Sequence, residues 1–191
     1  MTDHSHWHGR TLLLGVTGGV AAYKVADLAS RWTQRGAKVR VRMTPSACKF
    51  VQPLTFEAVT RQPVTTEIWQ PLGTGDRPEH IGSGDEADLF IIAPASADHL
   101  ARLAQGFGDD AVCLTALAWE GPLVICPAMN DRMWRHAAVQ ANINTLRERG
   151  AEIIDPGVGH LACGSVGPGR LADLDVIDGR VDQILGAREL S

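Results

Sequence analysis

Short apolar runs that end in glycine, proline or other small residues recur along the chain, with helical periodicity in the stretches between them. The first is "TLLLGVT" (11–17), followed by Ala21, Val25, Leu28 and Trp32 at spacings of four, three and four residues, which share one helical face. "AKVRVRM" (37–43) alternates as a strand does. "ADLFIIA" (87–93) and "PLVICPA" (122–128) are continuous, as strands buried on both faces are, and "EIID" (152–155) is a shorter one. The segment 96–118 has room for one or two helices, and Trp134, Val139, Ile143 and Leu146 share one face of a helix expected over about 131–149. Strands that alternate with helices, joined by right-handed crossovers, form a parallel sheet wound on both faces. The expected class is α/β, a doubly wound parallel sheet in a single domain. A chain of 191 residues, 45% of them hydrophobic, suffices for one substantial core.

Two segments interrupt the alternation, 71–88 and the glycine-rich "PGVGHLACGSVGPGR" (156–170), and both are expected to be loops. Long glycine-rich loops in compact domains serve as lids or binding loops, so 156–171 is expected to be a substrate flap. Residues 1–10, "MTDHSHWHGR", read as a disordered polar tail ahead of a domain spanning 11–191, and His4, His6 and His8 are given no function. A net charge of -4 without a dense Lys/Arg run argues against nucleic acid and anionic membrane as partners. No segment approaches the ~18 apolar residues of a membrane span and the start has no signal-peptide core, so a cytoplasmic protein acting on small molecules is expected. The four cysteines, Cys48, Cys113, Cys126 and Cys163, show neither a CxxC pair nor zinc-type Cys/His spacing, so no disulfide and no metal site are expected. Cys113 and Cys126 lie in apolar stretches and read as buried thiols. Cys48 is undecided, and Cys163 stands between packing and chemistry.

In open α/β sheets ligands collect at the carboxyl ends of the strands. The turn "GVTGGVAAYK" after the first strand is neither a G-x-G-x-x-G nor a Walker A loop, but amides at a helix start can hold a phosphate without a basic side chain. Tight strand-to-helix packing accounts for such glycines equally well. "MTPSACKF" supplies Thr44 and Ser46, hydroxyls able to cap a helix or donate to a phosphate, and "LFIIAPASAD" supplies Ser96, Ala97 and Asp98 at another helix start. Three such turns together point to a mononucleotide. In "CPAMNDRMW", Asn130 is an N-cap by default whose amide can also bind a carboxylate, and Met129 and Met133 offer core filler or a flexible apolar wall. His80, in a glycine-flanked loop, is a surface residue by default and a base near neutral pH otherwise.

Taken in order, "GVTGGVAAYK", "MTPSACKFV", the "HI" at 80–81, "IAPASAD", "PAMNDRMW" and "ACGSVGPGR" resemble the flavin-dependent cysteine decarboxylases over about residues 11–177. "PAMNxxMW" and "ACGxxGxGR" are the specific motifs. The resemblance implies a flavodoxin-like, Rossmann-like domain that binds FMN and forms a homotrimer, or a multiple of trimers such as a homododecamer, with active sites shared between subunits. It implies FMN contacts for Thr17, Gly18, Gly19, Val20, Thr44, Ser46, Phe50, Ser96, Ala97, Asp98, Ala128 and Met129. His80 falls on the family's active-site histidine, Asn130 on its substrate-carboxylate asparagine and Cys163 on its acid, while Met133, Ala162 and Gly164 join Asn130 and Cys163 around the substrate.

The pattern is nearest to the members that convert 4'-phosphopantothenoylcysteine to 4'-phosphopantetheine in coenzyme A biosynthesis. Direct loss of CO2 from cysteine would leave a carbanion with nowhere to delocalise. The resemblance implies that FMN first oxidises the thiol side to a thioaldehyde, an electron sink; CO2 loss then gives an enethiolate, which takes a proton on carbon and a hydride back. A thiol, mostly protonated at pH 7, suits that proton donor. Three alternatives stay open: a peptidyl-cysteine decarboxylase of lantibiotic type, a non-enzymatic flavin-binding regulatory subunit, and a nucleotide-binding module without flavin. The chain departs from the family's usual residues at Asp98, His99, Ser165 and Leu171, and is expected to lack the second, ligase domain of many bacterial relatives.

Overall fold

The computed structural model describes residues 5–68, 87–162, 164 and 166–187. Six strands, β1 (Thr11–Val16), β2 (Lys38–Met43), β3 (Val64–Thr65), β4 (Leu89–Ala95), β5 (Leu123–Pro127) and β6 (Glu152–Ile153), form one parallel sheet in the order β3-β2-β1-β4-β5-β6. Without the two-residue edge strand β3, the order is the 2-1-3-4-5 of flavodoxin-like sheets, and the switch point lies between β1 and β4. The doubly wound sheet expected from the alternation is therefore present, with each anticipated strand in place.

Every residue of β1 and β4 is buried, which is why these runs are continuously apolar. Successive side chains of β1 enter opposite layers. Leu12 and Leu14 pack with Val25, Leu28 and Trp32 of α1 (Ala22–Gln34) and with Ile177 and Val181 of α7 (Leu174–Ala187). Leu13 faces Leu100 of α3 (Ala97–Gln105), Val112 of α4 (Ala111–Leu117) and Ile143 of α6 (Ala137–Glu148). On the first layer, Asp178 receives Trp32 Nε1 at 2.9 Å and both guanidinium nitrogens of Arg35 at 2.8 and 2.6 Å, tying α7 to α1. The remaining helices are α2 (Pro53–Thr60) and α5 (Asp131–Arg135).

Three expectations are corrected. The helix expected over 131–149 is two helices, α5 and α6, broken at His136, whose backbone is extended (φ -66°, ψ 132°) and whose Nδ1 accepts the Ala138 amide at 3.2 Å to start α6. Trp134 stands before the break yet packs on the same apolar layer as Val139 and Ile143. Residues 5–10 are no disordered tail. Ser5–Trp7 form a 3-10 turn, and Trp7 is fully buried, donating Nε1 to Asp182 at 2.7 Å beneath the Arg35 guanidinium. One large apolar side chain anchors a segment whose polar neighbours suggested disorder; residues 1–4, His4 among them, lie outside the described residues. The segment 156–170 is a two-stranded antiparallel hairpin rather than a loop, β7 (Gly157–His160) against β8 (Val166–Arg170).

The expected loop at 71–88 lies outside the described residues over 71–86, and His80 with it. Cys113 and Cys126 are buried as expected, Cys48 is half-buried, and all three are free thiols. No helix among the described residues is long and apolar enough to cross a membrane.

Candidate active site

The carboxyl ends of β1, β4 and β5 and one side of the hairpin enclose a cavity of about 560 Å³, within the range of roughly 300–1,000 Å³ usual for small-ligand sites. Three strand-end turns expected at the cofactor meet there: Gly18, Gly19 and Val20 after β1; Ser96 and Ala97 after β4; Ala128 and Met129 after β5. Asn130, Met133 and Ala162, expected around the substrate, share the same wall.

The glycine turn is shaped by a close approach. A Cβ on Gly18 would stand 2.5 Å from Ser46 Cβ, so the turn after β1 nests against the turn after β2 only with glycine there. No side chain caps α1, and no acceptor among the described residues takes the amides of Gly18, Gly19 or Val20. Unbonded amides at the positive end of a helix suit an anion. Beneath them Thr17 is buried, with Oγ1 donating to the Pro94 carbonyl at 2.6 Å and accepting the Ser96 amide at 2.9 Å. This joins the ends of β1 and β4 beneath the glycine turn, while Thr17 itself does not line the cavity.

The other expected cofactor residues divide. Thr44 is buried and turned to the Ala47 amide at 3.1 Å, so its hydroxyl is a cap. Ser46 and Phe50 are exposed and do not line the cavity. Ser96 caps α3 through the His99 amide at 3.2 Å while its residue still faces the cavity. Asp98 also lies off the cavity wall, and its carboxylate pairs with Arg102 at 2.8 Å, which removes a negative charge from the anion cradle.

Asn130 caps α5, with Oδ1 accepting the Arg132 amide at 2.8 Å. The cap fixes the rotamer, leaving Nδ2 as the hydrogen-donating end of the side chain. The hairpin is seated directly on this segment: the Met129 amide donates to the Gly169 carbonyl at 2.8 Å, and a Cβ on Gly167 would stand 3.0 Å from Asp131 Cβ. Gly169 has φ +137°, and a Cβ there would stand 2.3 Å from the Met129 carbonyl oxygen. Gly169→Ala is therefore expected to destabilise the seat by about 2–4 kcal/mol. A displaced hairpin should lower kcat/KM about 100-fold, measurable beside a thermal melt that still shows a folded sheet.

Beyond the residues expected by number, Tyr23 and Lys24 line the cavity, as do His160, Leu161, Arg170 and Leu171 of the expected flap. Arg170 stands out. Its Nη2 donates to Asp173 at 2.7 Å, but its buried Nε has no partner, an unmet donor of the kind an anionic ligand satisfies. Ideal Cβ positions on Gly157 and Gly159 fall 3.5 and 3.6 Å from its guanidinium group, so the glycines of β7 leave the side chain room to lie along the hairpin. The signal was the final arginine of "ACGSVGPGR". Of the expected catalytic residues only Asn130 is described; His80 and Cys163 lie outside the described residues, as does Ser165, and Gly164 (φ +87°) is exposed and off the cavity wall.

An uncapped glycine turn opposite small and apolar walls, at the switch point of a doubly wound sheet, offers a seat for an anionic group beside a flat ring. Over residues 2–186 the sequence matches the Flavoprotein family. The chain belongs to the Flavoprotein family.

It is 46% identical over 165 residues to the coenzyme A biosynthesis bifunctional protein CoaBC of Vibrio vulnificus, a match that spans 86% of this chain and 41% of that protein. The chain thus covers about two fifths of the length of such bifunctional relatives. It is 42% identical over 181 residues to a probable phosphopantothenoylcysteine decarboxylase of Streptococcus mutans, spanning 92% of this chain and 99% of that one. Among solved structures, a PPC decarboxylase mutant complexed with pantothenoylaminoethenethiol superposes with a TM-score of 0.80 at 32% identity, covering 90% of this chain and 96% of that chain.

Proposed function

We propose that the protein decarboxylates 4'-phosphopantothenoylcysteine to 4'-phosphopantetheine with FMN as its cofactor. The observation that carries this is the single cavity into which the glycine cradle, Asn130 and the hairpin residue Ala162 all converge. The likeness to the Streptococcus mutans protein over 92% of this chain, and to a structure complexed with pantothenoylaminoethenethiol over 90% of it, supports the substrate class.

The amides of Gly18, Gly19 and Val20 fit the FMN phosphate, and Ala97, Ala128 and Met129 offer neutral walls for a flat ring. Bound there, the flavin supplies a two-electron acceptor and donor, which lets a redox-neutral reaction proceed without an external oxidant. Asn130 binds the substrate carboxylate through a neutral amide. A cation in its place would stabilise the charged ground state against CO2 loss, whereas an amide orients the group without that penalty. Cys163 delivers the proton to carbon, and His80 serves as the base of the site. The hairpin covers the intermediate and keeps water from it.

Asn130 therefore has two functions that substitutions separate. Asn130→Asp keeps an equally good cap and should leave the melting temperature nearly unchanged, while its charge repels the carboxylate and raises KM at least tenfold, about 1.4 kcal/mol. Asn130→Ala should lose activity together with about 1 kcal/mol of stability. Equal KM in Asn130→Asp and the parent would remove the carboxylate role.

The assembly we infer is a trimer or a multiple of trimers, with sites at subunit boundaries, in the cytoplasm. Val20, Tyr23, Phe50 and Leu54 are each more than half exposed, as residues covered by a neighbouring subunit are. The substrate is tested by presenting flavin-loaded protein with phosphopantothenoylcysteine and, in parallel, with a peptide ending in cysteine. Faster CO2 release from the first supports this reading, and release from the peptide alone replaces it with the peptidyl alternative.

A further inference from the structure

A second cluster of chemically capable side chains lies in the apolar layer behind the cofactor wall. His99 in α3 is 2% exposed and Cys113 in the first turn of α4 is fully buried; Asp110, the N-cap of α4, reaches toward both from the edge of the layer. Cys113 Sγ stands 3.4 Å from His99 Nε2, and Asp110 Oδ2 stands 3.7 Å from His99 Nδ1. One ligand atom from each of the three side chains lies within 4.8 Å of the other two.

We propose that His99, Asp110 and Cys113 form a binding site for a thiophilic divalent cation of the zinc class, clamping α3 to α4. The donor set is one thiolate, one imidazole and one carboxylate, the ligand types zinc takes. Around a tetrahedral zinc ion, sulfur and nitrogen donors stand about 3.5 Å apart, close to the observed Sγ to Nε2 separation. The carboxylate faces the ring's other nitrogen, Nδ1, so the carboxylate or the imidazole must shift for one ring nitrogen to share an ion with both partners. The carboxylate is already oriented, because Oδ1 accepts the amides of Val112 and Cys113, each at 2.9 Å, leaving Oδ2 turned to His99. Such outer bonds hold ligands in place in known metal sites.

Charge favours occupancy. Two negative ligands and a dication sum to zero, which suits a buried place better than the carboxylate alone does. Without a cation, burial and the neighbouring Asp110 push the thiol far above its ordinary range, and burial lowers His99, so the trio rests as a thiol beside a neutral imidazole. Cation binding expels the thiol proton. Cys113 has no exposed surface for a substrate to reach, so the same trio is unsuited to nucleophilic chemistry.

The test uses flavin-loaded protein stripped with a chelator and titrated with Cd²⁺ alone, then with Zn²⁺ as competitor. One cadmium per chain, with a thiolate-to-cadmium absorption in the difference spectrum that Zn²⁺ displaces, is the expected result. The band should persist in Cys163→Ser and vanish in Cys113→Ser. Asp110→Asn keeps the cap of α4 and should weaken cadmium binding at least about tenfold, which carries the test should Cys113→Ser fail to fold. No band in the parent protein, a band surviving in folded Cys113→Ser, or unchanged affinity in Asp110→Asn overturns the proposal and leaves the trio a hydrogen-bonded core feature.

Discussion

Gly18→Val is expected to purify without the yellow of bound flavin and to release no CO2. Its added Cβ would stand 2.5 Å from Ser46 Cβ, a distance real side chains do not tolerate, so the turn after β1 must swing away from the turn after β2. The strain, about 1–3 kcal/mol, is survivable for a fold whose core is this extensive. The amide cradle is not, because its donors point at the anion only in the present turn. Gly179→Ala is the matched control: it lies in α7 away from the cavity, a Cβ there meets nothing within 4 Å, and the variant should keep flavin and activity. Absorbance of the protein after gel filtration gives the flavin content of both. Full flavin content in folded Gly18→Val would move the phosphate site elsewhere.

Cys163→Ser should separate the two halves of the reaction. A serine hydroxyl gives up its proton far less readily than a thiol, whose ordinary pKa is near 8.5, so the proton that carbon needs is lost while CO2 is still released, once per flavin and further only as dissolved oxygen reoxidises the flavin left reduced. Loss of a positioned acid is worth about 10²–10⁴-fold, and the final product should fall by that factor. Mass spectrometry of the product mixture should find the enethiol, two hydrogens short of phosphopantetheine. Full turnover by the variant would take the acid role from Cys163.

Those two residues also show which parts of the molecule were legible beforehand. Strands β1, β4 and β5 were plain because they are buried on both faces and therefore continuously apolar. The glycine turn is visible as a turn, but composition leaves its purpose open; the contact with Ser46 shows tight packing, and the unbonded amides leave the same turn able to hold an anion. The hairpin reads as a loop in the sequence because glycine and proline weaken any strand pattern. Its glycines answer to long-range neighbours, Gly169 to the Met129 carbonyl and Gly157 and Gly159 to the Arg170 side chain, which local pattern does not encode.

Hydroxyl residues carry a signal that reads two ways. Thr44 looks the same in sequence whether it meets a phosphate or a backbone amide, and in the fold it meets the Ala47 amide. Trp7 was overlooked because a single aromatic residue makes no periodic signal, although its pairing with Asp182 anchors the chain's start to α7. His99, Asp110 and Cys113 follow no ligand spacing of a known motif, and only the packing of α3 against α4 brings them together.

The most direct test of the proposed reaction is whether CO2 release requires the flavin and nothing else that accepts electrons. With oxygen excluded, flavin-loaded protein mixed with phosphopantothenoylcysteine should release one CO2 for each phosphopantetheine formed, and flavin-stripped protein should release none until FMN is restored. No CO2 from the flavin-loaded protein, or an equal rate from the stripped protein, would contradict it.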